Sequence, residues 1–269
     1  MNAGHIENIA AYRFVPIDDP DALAARVRER AESLELRGTV LVAPEGLNLF
    51  LAGPLANIEA FVSSLREDAR FAEIEVKRSR SEAVPFAKLK VKTKREIIAF
   101  RREDASPLDA PRAPVVSSSA LRRWIAQGHD DDGRRLALVD TRNREETAYG
   151  SFDDALLLPI DNFTELPAAL DAHRDALAGA AVVGFCTGGI RCEKAVLWMR
   201  ANGFPHALQL DGGILGYFER EGGAGYRGDC FVFDDRVALD PALRPTYGMP
   251  ADAQNRTSTD GVDRPQPRV

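Results

Sequence analysis

The sequence predicts two α/β units in tandem: an N-terminal ferredoxin-like α+β module, then a parallel α/β domain. Three observations carry this. Extended and helical patterns over residues 9–80 run in the order β-α-β-β-α-β, the order of a ferredoxin-like module. A stretch rich in proline and alanine and without periodicity, EDASPLDAPRAPVV, then interrupts the pattern at 103–116. From Leu136 onward, short apolar strands alternate with helical segments, which builds a parallel sheet covered on both faces.

IAAYRFVPI at 9–17 reads as the first strand. Asp19 and Pro20 supply an N-cap and a first-turn residue for a helix running to about Glu35, with Leu23, Val27 and Leu34 on one stripe. GTVLVAPEG and LNLFLAG are two short strands around a turn. Ile58, Phe61, Val62 and Leu65 recur at i, i+3, i+4 and i+7, which marks a second helix. IEVKRSR returns to extended structure, and FAKLKVKTKREIIAF adds a further strand. In the second unit, Ser117–Ser119 cap a short helix holding Leu121 and Trp124. LALVDTR, ALLLPI, AVVGFC and ALQLDGG are its strands. DNFTELPAALDAHRDALAG and CEKAVLWMRANGF are the helical segments between the last three, the second closed by Gly203 as a C′ residue. The expected boundaries are a module at 1–102, a linker at 103–116, the parallel domain at 117–222, a C-terminal extension at 223–249 and a disordered polar tail at 250–269.

At 269 residues, 45% apolar and 28% charged, the chain has the composition of an ordinary soluble protein with material for two cores. No run is long and apolar enough for a membrane span, and the N-terminus lacks the pattern of a signal peptide, so no membrane partner is expected. Three cysteines, Cys186, Cys192 and Cys230, do not make a disulfide framework, and a reducing cytoplasm fits. The formal charge of −6 is unevenly spread: ten Lys or Arg against two Glu lie between Lys77 and Arg102, leaving the remainder near −14. That asymmetry suggests a polyanionic partner.

Cys186 ends an apolar strand, at the edge where open α/β sheets bind ligands. The loop Cys186-Thr187-Gly188-Gly189-Ile190-Arg191 follows it. Gly188 and Gly189 permit positive φ, so backbone N–H groups can turn inward as an anion nest. The next helix presents its positive end, and Arg191 adds a charge. All of these favour thiolate over thiol at Cys186. The C-x4-R spacing is one residue shorter than the phosphate-wrapping C-x5-R loop and suits a smaller group. Cys192 is either a resolving thiol for an oxidised Cys186 or a packing residue. Cys230 alternates with apolar residues and is expected in a core. Asp140 and Arg142 end a strand near the loop, with buried structural pairing at least as strong a reading as catalysis.

Lys88, Lys90, Lys92 and Lys94 recur every second residue and so share one face of a strand, with Leu89 and Val91 on the other. With Arg95 and neighbouring arginines they are candidate contacts for an RNA phosphate backbone; the alternative is an edge strand protected by lysines. His-x-carboxylate pairs at His5, His129 and His173 do not make a metal site, and no flavin, nicotinamide or ATP motif is evident.

DTRNREETAYGSF, FCTGGIRCEKA and LDGGILGYF together resemble the successive signatures of a rhodanese domain. With GDCFVFDDR downstream, and with GTVLVAPEGLNLFLAG and FAKLKVKTKREII before, the chain resembles the bacterial rhodanese-containing, oxygen-dependent tRNA uridine hydroxylases over about residues 9–240. The resemblance implies a tRNA substrate, hydroxylation of the wobble uridine to 5-hydroxyuridine, molecular oxygen as co-substrate, and Cys186 as the essential thiolate. It implies no DNA partner and no oligomeric state. Where many members of that family read EGINGT, this chain has EGLNLF at 45–50, which leaves the role of Leu49 and Phe50 open. The absence of cysteines after Cys230 gives no expectation of a C-terminal metal site. Two other functions fit the same residues: a sulfurtransferase carrying a persulfide on Cys186, and a redox-sensing RNA-binding protein without chemistry of its own.

Overall fold

The computed structural model describes residues 6–248. The first unit comprises β1 (Ile6–Phe14), α1 (Pro20–Ser33), β2 (Arg37–Ala43), β3 (Gly46–Pro54), α2 (Leu55–Arg66), β4 (Val76–Ser81) and β5 (Leu89–Thr93). Its sheet has the order β4-β1-β3-β2-β5, so a ferredoxin-like 4-1-3-2 arrangement gains β5 as an added edge strand, parallel to β2. Ile58, Phe61, Val62 and Leu65 are the buried residues of α2, as their spacing predicts. Each contributes about 1.5–3 kcal/mol by leaving water.

The strand register fixes which residues share a face. Ala11, Leu49, Val40 and Val91 are opposed in one row and join the core under α1 and α2. On the other face, Tyr12, Asn48, Leu41 and Lys92 form one row, and Lys77, Ala10, Phe50, Thr39 and Lys90 form the next. Lysines and aromatics therefore share the face that turns away from the helices.

The second unit comprises β6 (Val115–Val116), α3 (Ser118–Gln127), β7 (Leu136–Asp140), α4 (Arg144–Thr147), β8 (Gly150–Phe152), β9 (Leu156–Leu157), α5 (Leu166–Asp171), α6 (Arg174–Leu177), β10 (Ala181–Phe185), α7 (Ile190–Ala201), β11 (Ala207–Leu210), α8 (Gly213–Glu221), β12 (Tyr226–Gly228), β13 (Cys230–Phe231) and β14 (Ala238–Leu239). Its main sheet, β6-β11-β10-β7-β9, is parallel throughout. β10, buried at every residue, lies at its centre and delivers Cys186 from its carboxyl end.

Several local expectations need correction. β1 begins at Ile6 rather than residue 9, and ends at Phe14 because its ladder with β3 ends at Gly46. Asp19 occupies the N-cap position of α1 but makes no side-chain cap; its carboxylate is taken by Arg70 at 2.8 Å and Arg26 at 3.3 Å. α1 stops at Ser33, and Glu35 takes φ +52° so that its N–H reaches Glu32 and that of Leu36 reaches Ala31, a Schellman closure made without glycine. Residues 161–179 do not form one helix but a 3-10 turn, α5 and α6, broken at Ala172–His173. The stretch expected as a linker ends in strand β6, and Ala105 and Ala113 are buried in the second core. Isolated small apolar residues bury here without any period that a pattern search could detect. ALLLPI pairs with β7 only at Leu156–Leu157, although Leu158 and Ile160 beyond it are buried. The tail at 250–269 and His5 lie outside the described residues.

Candidate active site

The loop after β10 turns Cys186 back beneath its own successors. Gly189 takes φ +99° and caps α7, and its N–H donates to Cys186 Sγ at 3.2 Å. Gly188 is not in the positive-φ region, so one glycine, not two, supplies the turn. Ile190 and Arg191 already belong to the first turn of α7, which leaves a shorter loop than the sequence suggests.

A second helix clamps the loop from behind. The N–H groups of Ile214 and Leu215, in the first turn of α8, donate to the carbonyls of Cys186 and Thr187 at 2.9 and 3.0 Å. Gly213 sits at φ +63°, and a Cβ there would fall 2.5 Å from the Cys186 carbonyl oxygen and 2.7 Å from the Gly189 nitrogen. Only glycine lets the two turns approach so closely. This is the physical content of the LDGG string.

Burial opposes ionisation of Cys186, but the Cys192 thiol, the Arg191 charge and the backbone N–H groups of Arg191 and Gly189 outweigh it together and bring the thiol down to about 6. Burial pushes the Cys192 thiol well up, helped by its neighbour, so Cys192 remains a donor to Cys186 and bonds Thr141 Oγ1 at 3.7 Å. Cys230, in the core beside Phe152 and Tyr217, is pushed up to about 12, mainly by burial. Asp140 and Arg142 form a fully buried pair, with Arg142 Nη2 2.7 Å from Asp140 Oδ2 and 2.6 Å from the Gly150 carbonyl. They brace the strand end and do not line the cavity around the cysteine.

Sequence reasoning missed how the charged residues after the loop fasten the two sheets. Lys194, on α7, is 4% exposed at its side chain and reaches Glu45 at 2.8 Å and Glu96 at 2.7 Å. Glu193 accepts from Gln209 at 2.9 Å, Tyr12 at 3.2 Å and Arg112 at 3.3 Å. Thus CEK, EGLN and KREII, strings far apart in the chain, meet at one junction.

Beside that junction lies a cavity of roughly 250 Å³ between the sheets. The loop from Cys186 to Arg191 forms one wall, and Tyr12, Leu41, Asn48 and Phe50 of the first sheet form another. The C-terminal extension supplies the third through Val232, Phe233 and Leu239. It is tied down by Arg236, which bonds Ser79 at 2.7 Å. Leu49 is buried in the first core, whereas Phe50 faces the cavity. The two departures from EGINGT therefore have opposite fates. Lys88, Lys94 and Arg95 are exposed, and Lys90 and Lys92 half-buried, on or beside the edge strand β5. Among the described residues no group of three His, Cys, Asp or Glu is placed to hold a metal ion, and no helix is long and apolar enough to cross a membrane.

Residues 6–97 match the model of the UPF0176 acylphosphatase-like domain. The tRNA uridine(34) hydroxylase of Xanthomonas campestris pv. campestris is 63% identical over 240 residues, which covers 89% of this chain and 94% of that protein. Its namesake in Xanthomonas euvesicatoria pv. vesicatoria is 62% identical over 240 residues, 89% of this chain and 96% of the relative. The namesake in Xylella fastidiosa is 59% identical over 244 residues, 91% and 95% of the two chains.

Proposed function

The chain belongs to the tRNA uridine(34) hydroxylase family, and from that premise we propose that it hydroxylates the wobble uridine of tRNA to 5-hydroxyuridine with Cys186 as the reacting thiolate. The observation that carries the role of Cys186 is its place: a buried, acidified sulfur on the wall of a partly enclosed, largely apolar cavity. Such a chamber has room for one flat base, so a thiolate there is presented to a base taken out of its stack. Molecular oxygen is the proposed co-substrate, as the resemblance implies. The protein's own groups hold the sulfur ionised, keep Arg191 beside it, and position the base against it. The basic edge strand is the proposed dock for the tRNA backbone, and the cytoplasm the proposed compartment.

Nucleoside mass spectrometry of total tRNA from a deletion strain tests this. Wild type should restore 5-hydroxyuridine, and Cys186→Ser, whose hydroxyl is barely ionised, should bind tRNA but leave uridine unmodified. Full restoration by Cys186→Ser would remove the cysteine from the reaction. Release of thiocyanate from thiosulfate and cyanide, without restored 5-hydroxyuridine, would replace the hydroxylase with a sulfurtransferase.

A further inference from the structure

Lys77 enters the same cavity as Cys186, from strand β4. Its ammonium lies 5.5 Å from the centroid of the Tyr12 ring. The neighbouring arginines are spoken for: Arg78 pairs with Glu7 and Glu59, and Arg80 with Glu7. Among the described residues, no carboxylate reaches ion-pair distance of Lys77 and no hydrogen bond is made to it; the ring is its partner. Lys77 is half-buried, and a lysine that gives up part of its hydration without an ion-pair partner is unusual. Here three N–H donors border a chamber that is largely apolar, although Glu219 and Asp234 also lie in its lining, beyond ion-pair distance of Lys77. The ring beneath Lys77 is itself fixed, since the Tyr12 hydroxyl donates to Glu193.

We propose that Lys77 is a specificity-determining residue, donating a hydrogen bond to the carbonyl oxygen at C4 of the uracil base that enters the cavity. This rests on the hydroxylase reading and adds to it the group that recognises the base. An ammonium has donors and no acceptor. Uracil offers an acceptor at position 4, whereas cytosine offers an amino donor there. Donor against donor would leave both groups unpaired in an apolar chamber, so cytosine is rejected. Phe50, two residues from the row of Tyr12 on the same face, supplies a ring on which the base can stack. Backbone phosphate is the poorer ligand for this lysine: it carries its own hydration and is better met by Lys88 and Lys94, exposed beside β5, than inside the chamber.

The test uses the full chain and anticodon stem-loop RNAs carrying uridine, 4-deoxyuridine or cytidine at position 34. Wild type should bind the 4-deoxyuridine RNA roughly ten- to a hundredfold more weakly than the uridine RNA, the worth of a hydrogen bond to a charged group. Lys77→Met, of similar length, should show that loss with uridine and no further loss with 4-deoxyuridine. Lys77→Gln, which can both donate and accept, should narrow the preference for uridine over cytidine. Equal losses of Lys77→Met on both RNAs, or a salt dependence shallower by about 0.7–0.9 in log–log slope, would assign Lys77 to phosphate and overturn the proposal. So would a wild type indifferent to the C4 oxygen. Discrimination among the RNAs by a wild type that never hydroxylates uridine would instead sink the activity and leave the recognition standing.

Discussion

The Arg191 guanidinium meets the Glu146 carboxylate in a two-pronged ion pair, at 2.8 and 3.0 Å, with both side chains buried. The arginine is therefore held beside the sulfur rather than free to swing toward a ligand. Its charge acts through space on Cys186, while Glu146 holds the geometry and also accepts from the Asn143 backbone at 3.1 Å. Glu146→Ala leaves a buried charge without its partner, so stability should fall by about 3–5 kcal/mol in urea unfolding. A loss below about 1 kcal/mol would show that the pair contributes little.

The acidity of Cys186 has two readouts. Alkylation should follow an apparent pKa near 6, against about 8.5 for an ordinary thiol. The sign for stability follows from proton binding. Between these values the unfolded chain holds a proton that the folded one has lost, so stability should rise with pH across that window, by up to about 1.4 kcal/mol per unit. It should be fully present above the unfolded value and lost as pH falls through about 6. Cys186→Ser should flatten this rise, and a wild-type profile already flat between pH 6 and 8.5 would contradict the depressed pKa.

Cys192 acts on Cys186 as a donor. Cys192→Val keeps a similar volume but removes that donor, so the Cys186 pKa should climb by roughly one unit, the worth of a modest hydrogen bond. Alkylation against pH in the variant checks it. An unmoved pKa with lost activity would favour a resolving thiol in a Cys186–Cys192 exchange instead.

Gly213→Ala places a methyl on the Cys186 carbonyl and forces a non-glycine residue to φ +63°. Stability should fall by more than about 2 kcal/mol, and the sulfur should lose its acidity together with its cradle. Gly222→Ala, also at positive φ but with open space around it, is the control that carries only the backbone cost.

Changing Lys88, Lys90, Lys92 and Lys94 together to Glu should weaken tRNA binding and flatten its salt dependence by up to about three in log–log slope. Alkylation of Cys186 should be unaffected, because the row lies at the edge of the first sheet. Unchanged tRNA affinity would make the row an edge guard, as lysines on terminal strands often are.

Much of the architecture was legible because it is periodic. The stripe of α2, the alternation of Lys88–Lys94 against Leu89 and Val91, and the strand-loop-helix around Cys186 each repeat a spacing that geometry imposes. What the sequence hid was nonlocal. Lys194 gives no hint that Glu45 and Glu96 await it from another sheet. Phe50 and Leu49 look alike as a pair, and only the register sends one to a core and the other to the cavity. Gly188 and Gly189 look equivalent too, yet only Gly189, at the N-cap of α7, takes positive φ. The extension at 223–249 carried no pattern that marked it as a wall of the site, because it works through single anchoring bonds such as Arg236 to Ser79.

The cavity takes its walls from three stretches far apart in the chain, and this bears on transplantation. A chimera carrying only the second sheet with its helices, from Phe100 onward, would transfer an ionised sulfur without the first sheet over it. Such a sulfur would meet peroxide, disulfides and alkylators as readily as any exposed thiolate and would be spent on them. In the intact chain the same sulfur is reached only by what is small enough to enter the cavity between the sheets. The first sheet and the extension thus act as a safety catch on a reagent that the second sheet keeps permanently armed.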